Sequence, residues 1–253
     1  MGLTVGIAML VGLVISFFIL MPIYSWGDFT AATGAIGDTI DTVFSSDVRL
    51  IGAGTIAVAA VWTLLKIMRP IITGISGALT SARSRRAGVA VDITERDIPF
   101  PYVGGTVLVM LIPIGLLLWD FVHTAKAGSS SMPLVGSAGG IITVTIVFVA
   151  IIGLVVAAVC GYMAGLIGSS NSPISGVGIL VVIIAAVLIK VVYGTATGDQ
   201  TDALIAYTLF ASAIVFGVAT ISNDNLQDLK TGQLVGATPW KQQVALIIGV
   251  LFG

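Results

Sequence analysis

Long, continuous stretches of apolar residues constrain this chain more than any other feature of its sequence. Most are close to the ~20 residues that an α-helix needs to cross the hydrocarbon core of a bilayer. They do not alternate between apolar and polar positions, which favours helices over the strands of a membrane barrel. The six long runs cover residues 3–26, 48–65, 102–119, 141–168, 177–193 and 203–221, and a shorter run covers 240–253. The sequence therefore predicts an all-α integral membrane protein, a polytopic helical bundle with six full spans and a truncated seventh.

Composition agrees with this fold class. Hydrophobic residues make up 57% of the 253 residues and charged residues only 9%, whereas a soluble domain carries about 25% charged residues. The 11 basic and 12 acidic side chains leave no basic surplus, so nucleic acid is not an expected partner. We expect one transmembrane domain over residues 1–253. Because the last apolar run is too short to cross a bilayer, we also expect an internal portion of a longer chain.

The distribution of lysine and arginine predicts the orientation in the membrane. Residues 66–96 hold six basic side chains, whereas residues 27–47 hold four aspartates and no basic residue. Short cytoplasmic connections are enriched in Lys and Arg, so residues 80–100 are expected in the cytoplasm and 27–47 outside. By alternation, residues 169–176 and 222–241 are also cytoplasmic.

The first polar segment that we consider functional lies between the fourth and fifth spans and carries no charge. Serine and asparagine supply hydrogen-bond donors and acceptors without the cost of a buried charge. We therefore expect this segment to line a solvated cavity; the alternative is an ordinary turn broken by Pro173 and Gly176. The candidate residues for the substrate or ion path are Ser169, Ser170, Asn171, Ser172 and Ser175.

The second polar segment, residues 222–232, directly follows the sixth span. Asn223, Gln227 and Lys230 are spaced to share one helix face, and with Asn225 they are further candidates for the path. Asp224 and Asp228 are four residues apart on the neighbouring face and would repel each other if both were ionised, so we consider them candidates for proton coupling. The alternative for Asp224 is that it caps the start of a new helix.

Other segments have simpler interpretations. Residues 91–101 are expected to place charges in the headgroup layer, with Pro101 in the first turn of the next helix, and the basic cluster at 83–86 is expected to contact anionic lipid. The sole histidine, His123, is predicted on the outer side, away from Ser169 and Ser170. With no hydrolase, metalloprotease or nucleotide-binding motif, we expect neither an enzyme nor a metal or cofactor site.

Two of these polar segments resemble signatures of the oligopeptide transporter family, including its bacterial and yellow-stripe-like members. The longer is Asn-Asp-Asn-Leu-Gln-Asp-Leu-Lys-Thr-Gly-Gln-Leu-Val-Gly-Ala-Thr-Pro-Trp-Lys-Gln-Gln at 223–243, and the other is Gly-Leu-Ile-Gly-Ser-Ser-Asn-Ser-Pro-Ile-Ser-Gly at 165–176. Weaker matches are residues 49–54 and 94–99. This chain has Asn171-Ser172 where relatives often have two asparagines.

The resemblance implies a proton-coupled secondary carrier in a bacterial inner membrane. Its substrates would be small peptides or metal complexes of peptide-like chelators, and family chains are more than twice this length. The implied partners are the substrate, protons, membrane lipid, the remaining helices of the full carrier and a second copy of the chain. The alternatives are a structural or assembly subunit of the membrane, or a channel without coupled transport.

The predicted topology can be tested by cysteine labelling in a background in which Cys160 is replaced. A cysteine at Ser84 should react only with reagent supplied from the cytoplasm, because it lies in the basic cluster. A cysteine at Ala35 should react only from outside. Reaction of both positions from one side would contradict the six-span arrangement.

Overall fold

The computed structural model describes residues 2–26, 36–86, 92–124, 138–194 and 198–252, and it describes only the backbone of Asn171. No strand occurs among these residues. Residues 27–35, and with them Ala35, lie outside the described part, as does the side chain of Ser84. The helices are α1 (Leu3–Val14), α2 (Met21–Ser25), α3 (Ile36–Val43), α4 (Arg49–Arg86), α5 (Phe100–Thr124), α6 (Ala138–Ile167), α7 (Ile174–Tyr193), α8 (Asp199–Leu234) and α9 (Pro239–Phe252).

Six helical stretches of the described residues are long and apolar enough to cross a membrane. They are Leu3–Ser25, Ile36–Gly74, Ile93–Thr124, Gly139–Ile167, Ile174–Tyr193 and Gln200–Leu234. Each contains most of one predicted run, and α9 covers most of the seventh. The predicted class, an all-α polytopic membrane protein, is therefore confirmed.

The chain divides into two compact units, Met1–Ala59 and Ala60–Gly253. In the first unit, π-helical turns at Ile15–Leu20 and Phe44–Val48 interrupt the two helical stretches. The rings of Phe17 and Phe44 stack with centroids 5.7 Å apart. Met21, Val43 and Val48 form a small buried cluster. The first unit is thus a pair of helical stretches packed through apolar side chains.

Two helical stretches extend beyond the predicted apolar runs. The predicted outer connection at 27–47 is helical from Ile36 onward, and the second polar segment, residues 222–232, is part of α8. Neither glycine nor proline occurs between Val218 and Thr231, so nothing in the backbone ends the helix where the side chains become polar. Hydropathy marks the expected depth in the bilayer and not the end of a helix.

The core of the second unit lies between α6, α7 and α8. Its buried side chains include Val156, Val159, Val181 and Val215. Near one end, the fully buried Tyr207 hydroxyl donates to Thr145 Oγ1 at 3.0 Å. This bond satisfies two polar groups within an otherwise apolar contact.

Gly161 of α6 lies directly against side chains of α8. A Cβ atom at this position would lie 2.8 Å from Ser222 Oγ and 2.9 Å from Leu226 Cγ. Ser222 Oγ also donates to the carbonyl oxygen of Ala157 at 2.7 Å. Gly165, one turn later, has no atom within 4 Å of the equivalent Cβ position. Of the two glycines spaced for close packing, only Gly161 is required for it.

Replacing these two glycines with alanine should therefore have different effects on stability. Gly161→Ala should make the protein less stable than Gly165→Ala by about 1–3 kcal/mol, because the added methyl group separates α6 from α8. Both changes raise helix propensity equally, so each serves as the control for the other. Thermal unfolding of the detergent-solubilised full-length protein measures the difference, and equal midpoints would contradict this packing.

Candidate functional site

The site begins where α6 breaks. The fourth apolar run of the sequence covers residues 141–168, and α6 ends at Ile167. Gly168 has φ +83° and ψ 160°, a conformation that is essentially restricted to glycine. A short 3₁₀ turn at Ser169–Asn171 follows, and α7 begins at Ile174. The break interrupts the helical hydrogen bonds and leaves backbone groups that need other partners.

Two side chains of α8 supply those partners to Ser169. The Ser169 N–H donates to Gln227 Oε1 at 3.3 Å, and Asn223 Nδ2 donates to the Ser169 carbonyl oxygen at 3.3 Å. Asn223 and Gln227 are four residues apart, so they lie on one face of α8. The two polar segments singled out in the sequence therefore contact each other, although more than 50 residues separate them.

The amide of Asn223 leaves one of its hydrogen-bonding groups without a partner. The residue is only 2% exposed, and its Nδ2 is directed at the Ser169 carbonyl. The carbonyl can only accept, so this contact also decides which end of the amide is nitrogen. No hydrogen bond from the described part of the chain reaches the buried Oδ1. Buried acceptors of this kind are uncommon, and a bound water, ion or ligand can satisfy them.

The remaining candidates for the substrate or ion path make no hydrogen bond to Asn223 among the described contacts, and they differ in exposure. Ser172 is partly buried, and its hydroxyl lies 3.5 Å from the Cys160 carbonyl oxygen, at the limit of a hydrogen bond. Ser170 and Ser175 are exposed, Asn225 is partly buried, and the backbone of Asn171 belongs to the turn. The exposed Lys230 donates to Gln233 Oε1 at 2.8 Å.

Asp224 and Asp228 lie within the uninterrupted α8 and are both exposed. The interpretation of Asp224 as a helix cap is wrong, because α8 begins 25 residues earlier, at Asp199. The two carboxylates occupy successive turns of one helix face, and this face is adjacent to the one that bears Asn223.

The structure also shows a contact that the sequence did not predict. Residues 92–99, here called the linking segment, lie against the turn between α8 and α9. Trp240 N–H donates to the Arg96 carbonyl at 3.0 Å, and Ile98 N–H donates to Gln243 Oε1 at 3.0 Å. Gln243 Nε2 in turn donates to Asp97 Oδ1 at 3.0 Å. All three polar segments thus meet at one end of the second unit.

No spacing signal could have revealed this contact, because Asp97 and Gln243 are 146 residues apart. The sequence showed only that Asp97 and Gln243 both lie in stretches that resemble the family, residues 94–99 and 223–243. Within the described ranges, no three His, Cys, Asp or Glu side chains come together to hold a metal ion.

Comparison with known proteins places this chain in a family. The sequence profile described as OPT oligopeptide transporter protein matches residues 1–253. The chain is 42% identical over 259 aligned positions to a Haemophilus influenzae protein named "Putative oligopeptide transporter". That match covers 100% of this chain and 39% of the relative. No solved structure matches the chain.

The chain is therefore a multi-pass membrane protein of a transporter class. It belongs to the OPT oligopeptide transporter family. It spans about two fifths of the length of the curated relative that it matches.

The two amide contacts to Ser169 should be energetically coupled. Asn223→Ala and Gln227→Ala should each lower stability by about 1 kcal/mol. The double variant should lose about 0.5–1 kcal/mol less than the sum, because the first change already frees the turn. Gln227→Ala combined with Thr145→Val, which removes the distant contact to Tyr207, is the control pair and should be additive. Additivity in both pairs would contradict a shared role at Ser169.

Proposed function

We propose that the full protein containing this chain is a secondary carrier that moves small peptides, or peptide-like metal chelates, together with protons across a bacterial inner membrane. One observation supports this function best. The break after α6 and the amide face of α8 form a partly buried, uncharged polar contact in which the buried Asn223 Oδ1 has no described partner. The membership of the chain in a transporter family also supports this function.

A carrier needs groups that bind a polar substrate and release it again. Discontinuous helices supply such groups, because their free backbone N–H and carbonyl groups face a cavity and not lipid. Serine and amide side chains add donors and acceptors of moderate strength. Ser169, Ser170, Asn171, Ser172 and Ser175, together with Asn223, Asn225, Gln227 and Lys230, are accordingly our candidates for the path.

The hydrogen bonds at Ser169 suit a segment that changes its contacts during transport. Both are 3.3 Å long, which is beyond the usual range for N–H···O bonds and indicates weak interactions. The neighbouring Gly168 has wide conformational freedom. The turn at Ser169–Asn171 can thus separate from α8 at a modest energetic cost, and separation would open Asn223 to a ligand.

Asp224 and Asp228 are our candidates for proton coupling. They are exposed on the helix that carries the amide contact, so a proton can reach them from an aqueous path or from groups on the remaining helices. Uptake and release of a proton at this pair would change the charge beside the path.

Transport in proteoliposomes separates this function from its alternatives. A carrier couples peptide uptake to proton movement and saturates with substrate. A channel passes substrate or ions without accumulation against a gradient, and a structural or assembly subunit moves nothing. The full-length protein is the sample for this assay, since the site of a carrier forms between its repeats.

Neutral replacement of the aspartates tests the coupling. In the full-length carrier, Asp→Asn at the coupling residue should lower peptide accumulation driven by a pH gradient by at least about tenfold. Exchange of labelled for unlabelled peptide should persist, because the shape of the binding cavity is retained. Asp202→Asn, the same change at an exposed position near the start of α8, is the matched control. Normal accumulation by Asp224→Asn and Asp228→Asn at equal protein levels would assign coupling to another part of the carrier.

A further inference from the structure

A second site lies beside the amide contact. It is an open pocket of about 340 Å³ between α6, α8 and the linking segment. Its floor is apolar and includes Tyr162, Leu226 and Leu229. Its polar lining carries charges of both signs, with Glu95 and Asp97 from the linking segment and Lys230 from α8. The volume is at the lower end of the ~300–1,000 Å³ typical of small-ligand sites.

The charges of this pocket select the kind of ligand. The lining combines two carboxylates with one ammonium group, so it disfavours a simple anion, and Lys230 offsets only one of the negative charges. A small zwitterion satisfies both signs at once, while the apolar floor can accept its side chains. The pocket is too small for more than a few residues of a peptide.

The side chain of Gln233 indicates how such a ligand would bind. Its Oε1 accepts a hydrogen bond from Lys230 Nζ at 2.8 Å, and its Nε2 lies 3.5 Å from Glu95 Oε1. One amide group therefore bridges the positive and the negative residue, with oxygen toward lysine and nitrogen toward glutamate. A peptide group has the same polarity, and the longer contact to Glu95 is weak enough to be exchanged.

We propose that this pocket binds a di- or tripeptide with free termini, its α-carboxylate on Lys230 and its α-ammonium on Glu95 and Asp97, in place of the Gln233 bridge. The proposal rests on the function proposed above, since it names the substrate class and adds Glu95 and Asp97 to the site. Neither carboxylate was a candidate from the sequence, where the linking segment had a structural interpretation.

Gly165 gives the pocket a wall that can be altered without disturbing the protein. It lines the pocket, and no atom lies within 4 Å of the position of a Cβ there. Gly165→Leu would extend into the open space and block the ligand, whereas Gly165→Ala would leave most of that space. Gly161 also lines the pocket but contacts α8. Its replacement would disturb the packing of the helices as well as the binding of a ligand, so it is not a suitable test.

The test is direct binding of trialanine, N-acetyl-trialanine and trialanine amide to the purified full-length carrier in nanodiscs. Blocking either terminus should weaken binding to the wild type by about tenfold, because each removes a charge-assisted hydrogen bond. Lys230→Met should weaken trialanine binding about tenfold and change binding of the amide by less than about twofold. Glu95→Gln should likewise weaken trialanine binding about tenfold, and it should leave binding of N-acetyl-trialanine nearly unchanged, because that peptide has no α-ammonium group.

Gly165→Leu should abolish binding of all three peptides, and Gly165→Ala should retain it. Lys241→Met is the matched control, because Lys241 is an exposed lysine near the same end that does not line the pocket. Equal wild-type affinity for the three peptides, or variants that weaken all of them alike, would overturn the proposed binding mode. If binding follows the expected pattern but proteoliposomes accumulate no peptide, the transport function fails and the pocket assignment stands.

Discussion

The requirement that buried backbone groups be hydrogen-bonded governs the part of this protein in which the polar segments meet. A continuous helix satisfies the requirement by itself, and most of the described chain does so. Where α6 stops at Ile167, the turn does so only in part, through the Ser172 N–H on the Ser169 carbonyl, and α8 provides Asn223 and Gln227 to the two backbone groups of Ser169. This dependence explains why an apolar helix is followed by a segment rich in amides. It also keeps α8 helical past the end of its apolar run, since both amides must project from one face.

Close packing of α6 against α8 makes these contacts geometrically feasible. Gly161 removes the side chain that would separate the helices, and Ser222 uses the resulting proximity to donate to Ala157. Asn223 is the next residue along α8, so the apolar packing and the polar contact are set by the same helix separation. Both would change together if the helices moved apart.

The sequence was sufficient for the fold class, but not for the ends of the helices. Continuous apolar runs identified the spans, and the two polar segments contain Ser169 and Asn223, which contact each other. The same hydropathy placed the end of α8 too early, because polarity reports depth in the bilayer while helix ends depend on glycine, proline and caps. The alternative interpretation of Asp224 as a helix cap failed for that reason. The contact between Asp97 and Gln243 depends on tertiary folding and has no local sequence signal.

The two faces of α8 differ in a way that bears on mechanism. One face is fixed to the break in α6 by Asn223 and Gln227, and the adjacent face exposes Asp224 and Asp228. The helix that bears the exposed aspartates is the one whose other face contacts the turn at Ser169. A change of charge on the exposed face can therefore alter the separation of α8 from Ser169 without a direct contact to the substrate. Coupling would then require only that protonation stabilise one of two helix positions, since a ligand or proton shifts an equilibrium only by its different affinity for the two states. Such a mechanism places the proton on the aspartates and the peptide on other residues, so that the two do not compete for one group.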